Sequence, residues 1–345
     1  MTAITTDYVL RPIRADDFDA LLALAEASAD TGRVRASVRY LVNPIEAAAV
    51  LQPDQEWVVA EGEDGLVGAA QVTVGETEVE GERHRCATLT SLMVHAAHRR
   101  RGVATALTEW RLERAGPDAV VAATIQAGNA GSFANARRWA TQIFGTLTLP
   151  VFRAGKAPSP RAGMEIREPK DDAEWASAAE GLAAFERGWN LRTPETASTL
   201  RTRAERTVSG VRVNRYSVAV ENGEVVGGYA LFEAARLQIV VIEDAPASLR
   251  ALNRIVRVLP SSGELRQAGI SRLWFATGRE DVGRALWAHA RGAAADSGNA
   301  LTTQYDARSP LDAVIPTRAW TPKTQVSVAV RSPVPLSEDH LLSPP

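Results

Sequence analysis

One pattern occurs twice in this chain and limits what it can fold into. Residues 57–70 read WVVAEGEDGLVGAA and residues 216–229 read YSVAVENGEVVGGY. Each is a pair of apolar runs joined by a two-residue polar turn, Asp64-Gly65 in the first and Asn222-Gly223 in the second. That is the strongest short hairpin signal, because both central residues must take positive φ. A second echo precedes each hairpin. Tyr8 to Arg14 reads as a short strand leading through Asp16-Asp17 into a helix with Phe18, Leu21, Leu22 and Ala25 on its apolar face; Met164 to Arg167 leads through Asp171-Asp172 into a helix with Trp175, Ala179 and Leu182. A 345-residue chain that restarts in this way predicts two related domains of the α/β (α+β) class rather than one large one. The Pro-, Gly- and Ala-rich stretch 154–163 reads as the linker between a first domain at 1–153 and a second at 164–331. The proline-rich end, 332–345, reads as a disordered tail.

The chemistry-bearing stretch lies in the first domain. Leu89 to Val94 is an apolar run of strand type that leads through His95-Ala96-Ala97-His98 into Arg99-Arg100-Arg101-Gly102. Val103, Ala106, Leu107 and Trp110 then recur at three- and four-residue spacing, the mark of a helix. Gly102 and Ala104 carry almost no side chain, so a ligand can approach the backbone N–H groups of the first helical turn. Those groups have no intrahelical partner and carry the positive end of the helix dipole. Three arginines around that point favour a pyrophosphate; taken alone, they are also what an ordinary solvated loop contains.

The unit resembles the acyl-CoA pyrophosphate loop of the GNAT N-acetyltransferase family, whose Gln/Arg-x-x-Gly-x-Gly/Ala pattern here reads Arg99-Arg100-Arg101-Gly102-Val103-Ala104. The two-domain architecture is similar to the tandem, mycothiol-synthase-like type. The resemblance implies two GNAT-like domains, each with a mixed, mostly antiparallel sheet and flanking helices. It implies acetyl-CoA or another short acyl-CoA as co-substrate, held at Arg99 to Thr105 and along a slot beside Leu92, Met93 and Val94, with Asn129 and Ser132 at the start of a later helix contacting its pantetheine or phosphate end. Asn129 and Ser132 are equally common as plain helix-capping residues. A backbone N–H near Met93 or Val94 is the implied oxyanion donor.

The side chains that the family often uses for proton transfer are missing. Where it places a Glu on the fourth strand, this chain has Thr90 and Ser91; where it places a Tyr beyond the Asn, the chain has Arg137, Arg138 and Trp139. Ser91, His95 and Tyr305 remain as catalytic candidates, with His95 and His98 also readable as exposed turn residues and Tyr305-Asp306 as loop. Glu78, Glu80 and Glu82 read either as carboxylates reaching for an amine or as a solvated strand face, and Cys86 as acyl acceptor or packing. In the second domain, Leu237 to Asp244 reads as the matching fourth strand. Ala245 to Arg250 follows without a cradle, then a helix from Ala247 with Leu249, Leu252, Ile255, Val256 and Leu259. Leu273 to Ala276 reads as a fifth strand and Val326 to Val330 as the strand closing that sheet. This copy is expected not to bind CoA.

Thirty-nine basic residues against 41 acidic ones give no general attraction to nucleic acid or anionic membrane. One cysteine excludes an intrachain disulfide, and no Cys/His spacing suggests a metal. The expected protein is cytoplasmic, an acyltransferase for a primary amine of a small molecule by direct attack, with a homodimer as an option. The alternatives are an acyl-CoA binder that acts through a partner, and a structural protein that has lost CoA.

Overall fold

The computed structural model describes residues 7–28, 35–156, 158, 160–244, 253, 260 and 262–345. The first half runs β1 (Val9–Pro12), α1 (Phe18–Ser28), β2 (Arg35–Tyr40), α2 (Pro44–Leu51), β3 (Gln55–Gly62), β4 (Gly65–Val79), β5 (Glu82–Val94), α3 (Val103–Ala115), β6 (Val120–Gln126), α4 (Ala130–Ala136) and β7 (Gln142–Arg153). The second runs β8 (Met164–Arg167), α5 (Asp172–Phe185), α6 (Ala197–Glu205), β9 (Thr207–Val208), β10 (Val211–Arg212), β11 (Asn214–Glu221), β12 (Glu224–Phe232), β13 (Gln238–Asp244), β14 (Glu264–Leu265), β15 (Gln267–Phe275), α7 (Glu280–Ala294), β16 (Ala300–Thr303), β17 (Tyr305–Asp306) and β18 (Lys323–Arg331).

The two halves share one sheet, in the order β1-β3-β4-β5-β6-β18-β7-β16-β15-β12-β11-β8. Read from its two ends the order is the same list of parts: β1 answers β8, β3 answers β11, β4 answers β12, β5 answers β15 and β6 answers β16. The tandem repeat is therefore real, with each half a mixed and mostly antiparallel sheet carrying its helices. At the centre the halves exchange strands. β18 pairs antiparallel with β6 of the first half, β7 pairs antiparallel with β16 of the second, and β7 and β18 lie side by side. Val326, Val328, Ala329 and Val330 are each no more than 2% exposed, as a central strand requires on both faces.

Several sequence expectations change here. Val326 to Val330 does not close the second half's own sheet; it completes the first. Leu237 to Asp244 is a strand, but β13 leaves the main sheet and pairs with β2 and β14. The partner of β12 is β15, so Leu273 to Phe275 belongs to the fourth strand of that half, and β16 is the parallel fifth. The helix expected from Ala247 lies outside the described residues. Phe144, whose spacing after Phe133, Ala136 and Ala140 reads as one helix face in the sequence, lies in β7, and α4 ends at Ala136. In the first hairpin Gly62 pairs with Gly65, so the loop is Glu63-Asp64 and only Gly65 has positive φ; the second turns at Asn222 and Gly223, both with positive φ, as expected.

The chain's end is packed rather than frayed. Leu336 and Leu342 are 3% and 0% exposed and sit among Val79, Leu147 and Leu191. Ser337 N–H donates to Glu80, Leu342 N–H to Asp306, and Ser343 N–H to the Asn190 carbonyl. Proline content describes the backbone's stiffness, and two leucines decide where it goes. The same region locks the halves together. The tip of the β4–β5 hairpin pairs with the loop after α5, through Glu78 N–H to the Arg192 carbonyl and Leu191 N–H to the Glu78 carbonyl. Arg192 pairs with the Glu78 carboxylate at 2.6 Å, and Asn190 holds Glu80 through two 2.7 Å bonds. These glutamates are structural partners rather than a solvated face. No helix among the described residues is long and apolar enough to cross a membrane.

A Leu342→Ala variant is expected to lose roughly 2–4 kcal/mol in urea unfolding, as for other buried leucines; a frayed tail would give no change.

Candidate functional site

β5 and β6 are parallel neighbours only from Cys86–Val120 to Thr88–Ala122. Beyond that pair they carry no ladder bonds to each other, while β6 stays bonded to β18 on its other side. The edge of β5 from Leu89 to Val94 thus has no strand partner on the β6 side among the described residues. At the same level β5 bulges: Gln71 of β4 lies opposite Thr90, but Ala69 lies opposite Met93. The extra residue is accommodated by Ser91, exposed and at φ 51°. The bulge turns Leu92 and Val94 toward the α3 side of the sheet and Met93 toward the α1 side.

The strand then delivers the chain to the cradle. His95 N–H donates to the Val67 carbonyl at 2.9 Å, and His95 Nδ1 accepts from Ala97 N–H, so this histidine caps the turn with the nitrogen a base would need. Arg99 reaches back to the Ser28 carbonyl at 2.7 Å and ties the loop to the end of α1. Arg100 and Arg101 are exposed, and Arg100 sits at φ 63°. Gly102 caps α3 at φ 85°, a left-handed conformation that disfavours a side chain. Among the described residues, no side chain caps the helix, and the only atom within 4 Å of where a Cβ would stand is the Tyr8 hydroxyl, at 3.9 Å. Val103 is buried, and Ala104 and Thr105 are partly exposed in the first turn. The cradle is therefore open, positively lined and built on uncapped N–H groups.

α3 is held close to the sheet by a gap in β4. A Cβ on Gly68 would stand 2.7 Å from Val103 and 2.9 Å from Leu107. α4 is tied to the same helix, with Asn135 donating to Thr108 Oγ1 at 3.0 Å and Arg138 to Thr105 Oγ1 at 2.7 Å. Arg138 thereby brings a further positive charge to the cradle. Sequence reasoning saw Arg138 only as a missing tyrosine. Asn129 caps α4 by accepting from Ser132 N–H at 3.0 Å, which satisfies the capping reading.

The second half repeats the scaffold and alters the site. Gly227 admits α7 to a similar distance, with Leu286 and Val282 standing 2.8 and 3.0 Å from its missing Cβ. That match sets Val282 on Val103 and Leu286 on Leu107, and so Asp281 on Gly102. Reading Val103-x-x-x-Leu107 against Val282-x-x-x-Leu286 would have found this pair in the sequence. Arg279 bonds Asp281 and Glu221 and holds both carboxyls below their usual range. The bulge recurs too, with Arg272 at φ 52° where the first half has Ser91. Val314 and Phe275 crowd the start of α7, each within 3 Å of where a Gly283 Cβ would stand.

Tyr305 lies in this second core, 1% exposed, its hydroxyl donating to Asp312 and its pKa pushed up by burial to about 12. It faces no cleft, and neither does Asp306, which is 0% exposed and pairs with Arg308. Burial likewise pushes the Cys86 thiol up to about 11, which removes it as a nucleophile at neutral pH. Around Arg272, Glu195 takes bonds from Arg272, Arg203 and Thr199. Burial pushes Glu186, near Arg272, Arg192 and Glu195, up to about 7.

Residues 9–134 match the family described as Acetyltransferase (GNAT) domain. Among solved structures the chain is similar to N-myristoyltransferase of Saccharomyces cerevisiae with bound myristoyl-CoA, at 10% identity and a TM-score of 0.67 over 95% of this chain and 84% of that one. It is similar to a tandem GNAT protein from the clavulanic acid biosynthesis pathway, at 16% identity and a TM-score of 0.57 over 95% and 100%. A GNAT protein from Sphaerobacter thermophilus matches at 13% identity and a TM-score of 0.55 over 96% and 98%. No curated protein matches the sequence.

The Glu186 carboxyl gives a signed prediction. In the unfolded chain it ionises near 4.5, in the folded chain only near 7, so its cost to stability grows between those values and is complete above them. Glu186→Gln is expected to leave stability unchanged at pH 4 and raise it by roughly 2–3 kcal/mol at pH 8, read from paired urea titrations.

Proposed function

On the premise of a GNAT acetyltransferase fold carried in tandem, we propose that this protein is an acyl-CoA-dependent N-acyltransferase with one working site, in the first half. The observation that carries this reading is the contrast at one position of the repeat, an open Gly102 against Asp281. A carboxylate at the start of α7 takes the place and the charge of a phosphate; a glycine at the start of α3 leaves both free.

The residues fit acetyl-CoA or another short acyl-CoA as co-substrate. The N–H groups of Val103, Ala104 and Thr105, with Arg100, Arg101 and Arg138, hold the pyrophosphate. The unpaired edge of β5 from Leu89 to Val94 offers main-chain partners to an extended pantetheine arm. The N–H groups at the bulge, near Met93, receive the negative charge that develops on the thioester oxygen when an amine attacks. Bound to that frame, the thioester supplies an activated acyl carbon. The chain contributes orientation and water exclusion. The Ser91 hydroxyl is exposed at the bulge and is the side chain best placed to guide an amine or its water. His95 is less suited, since its Nδ1 is already committed. The acceptor is a small-molecule primary amine, in line with the second half's reach, through β13, to the β2 segment beyond α1.

A second reading is binding without transfer. It is favoured by the identities of Thr90 and Ser91 on β5 and of Arg137, Arg138 and Trp139 after α4, where the family often carries its Glu and Tyr. Thioester loss from acetyl-CoA across a panel of amines separates the two.

Calorimetric titration with acetyl-CoA is expected to give one site per chain. Gly102→Asp, which copies Asp281, is expected to weaken binding a hundredfold or more, about 3 kcal/mol, with the fold retained by circular dichroism. Two sites, or an undiminished affinity in the variant, would sink the single-cradle assignment.

A further inference from the structure

α3 carries a second feature that the cradle does not use. Arg111 is 2% exposed and, among the described residues, pairs with no carboxylate. Its partners are neutral oxygens: Nη1 to the Gln71 carbonyl at 3.5 Å and the Thr90 carbonyl at 3.4 Å, Nη2 to Thr108 Oγ1 at 3.1 Å, and Nε to the Leu107 carbonyl at 3.3 Å. Burial lowers its pKa to about 10, which leaves it a cation at neutral pH.

A buried cation without a counter-ion is costly, and an apolar side chain of similar size would be cheaper. The second half takes the cheaper course. Ala290 stands four residues beyond Leu286, as Arg111 stands four beyond Leu107, and is 0% exposed. Packing α3 or α7 against its sheet therefore does not demand arginine. What distinguishes Arg111 is its place: Gln71 and Thr90 are the last opposed pair before the bulge, and one guanidinium nitrogen bridges their two carbonyls.

Resting on the acyltransferase reading, we infer that Arg111 is a positioning residue for acyl transfer. It clamps the carbonyls of Gln71 and Thr90, fixes the peptide that leads through Ser91 into the bulge, and sets an uncompensated positive charge behind the strand whose N–H groups receive the developing oxyanion. Its contribution appears in the rate, because the charge it complements exists only as the reaction proceeds. The pyrophosphate cradle, a turn and more away along α3, does not depend on it.

The test compares wild type with Arg111→Met and Arg111→Lys in the full chain. Three quantities are read: the calorimetric Kd for acetyl-CoA, the thermal midpoint, and thioester loss at saturating acetyl-CoA with the best amine of the panel, or with water. In Arg111→Met the Kd is expected to stay within twofold and the midpoint to hold or rise, while the rate falls ten- to a hundredfold. Arg111→Lys, which keeps a cation but not the fork, recovers part of that rate. A purely structural arginine would instead lower the midpoint and weaken binding together. A rate in Arg111→Met within twofold of wild type overturns the inference alone, as does a parallel loss of midpoint and Kd in both variants. Wild type that turns over no thioester, whether or not it binds acetyl-CoA, overturns the transfer reading and this inference together.

Discussion

The exchange of β7 and β18 is the constraint on which the rest of the molecule depends. β6 completes its antiparallel side only by accepting β18, and β16 only by accepting β7. That central seam leaves β6 fully paired on one side and free to part from β5 on the other. A slot can open between β5 and β6 without exposing a sheet edge elsewhere, since every other strand of the first half keeps its partner.

Given such a seam, the two halves share the order of their core strands and carry different contents. Each has a glycine in its third strand that admits the cradle helix, and each has a bulge built on a residue of positive φ. At the site the halves differ in side chains at matched positions: Gly102 against Asp281, Ser91 against Arg272, Arg111 against Ala290. In the second half the charges at the matched positions are paired internally, Asp281 with Arg279 and Arg272 with Glu195. In the first half Arg100 and Arg101 are exposed, and the guanidinium behind the bulge has only neutral oxygens among the described residues. One half is electrostatically closed and the other is poised for an anion.

Much of this was legible in the sequence because it is written locally. The Asn222-Gly223 turn, the strand-to-helix junction at Gly102 and the apolar spacing of Val103, Leu107 and Trp110 each lie within a few residues and obey periodicities that a window can see. The partners of Val326 to Val330 and of Leu237 to Asp244 do not. Both runs have the β-branched composition of a buried strand, and that composition is the same whichever strand receives it. The packed end of the chain was missed for the converse reason: Pro333, Pro335, Pro344 and Pro345 argue against regular structure, while Leu336 and Leu342 carry the burial. Arg111 left no signal at all, since an arginine on an amphipathic helix is ordinary until its surroundings are known.

The exchanged seam also sets an order in time. The first half has all its other sheet strands once residue 126 has left the ribosome, yet the strand that covers the outer edge of β6 ends at Arg331. With about 200 residues still to come, at roughly 5–20 residues per second, that apolar edge waits on the order of 10 to 40 s for its partner. During that interval the nascent chain presents Val120 to Gln126 as an unpaired, β-branched template, the kind of surface that other strands adopt indiscriminately. The half that carries the open cradle is thus the first to be made and the last to be finished.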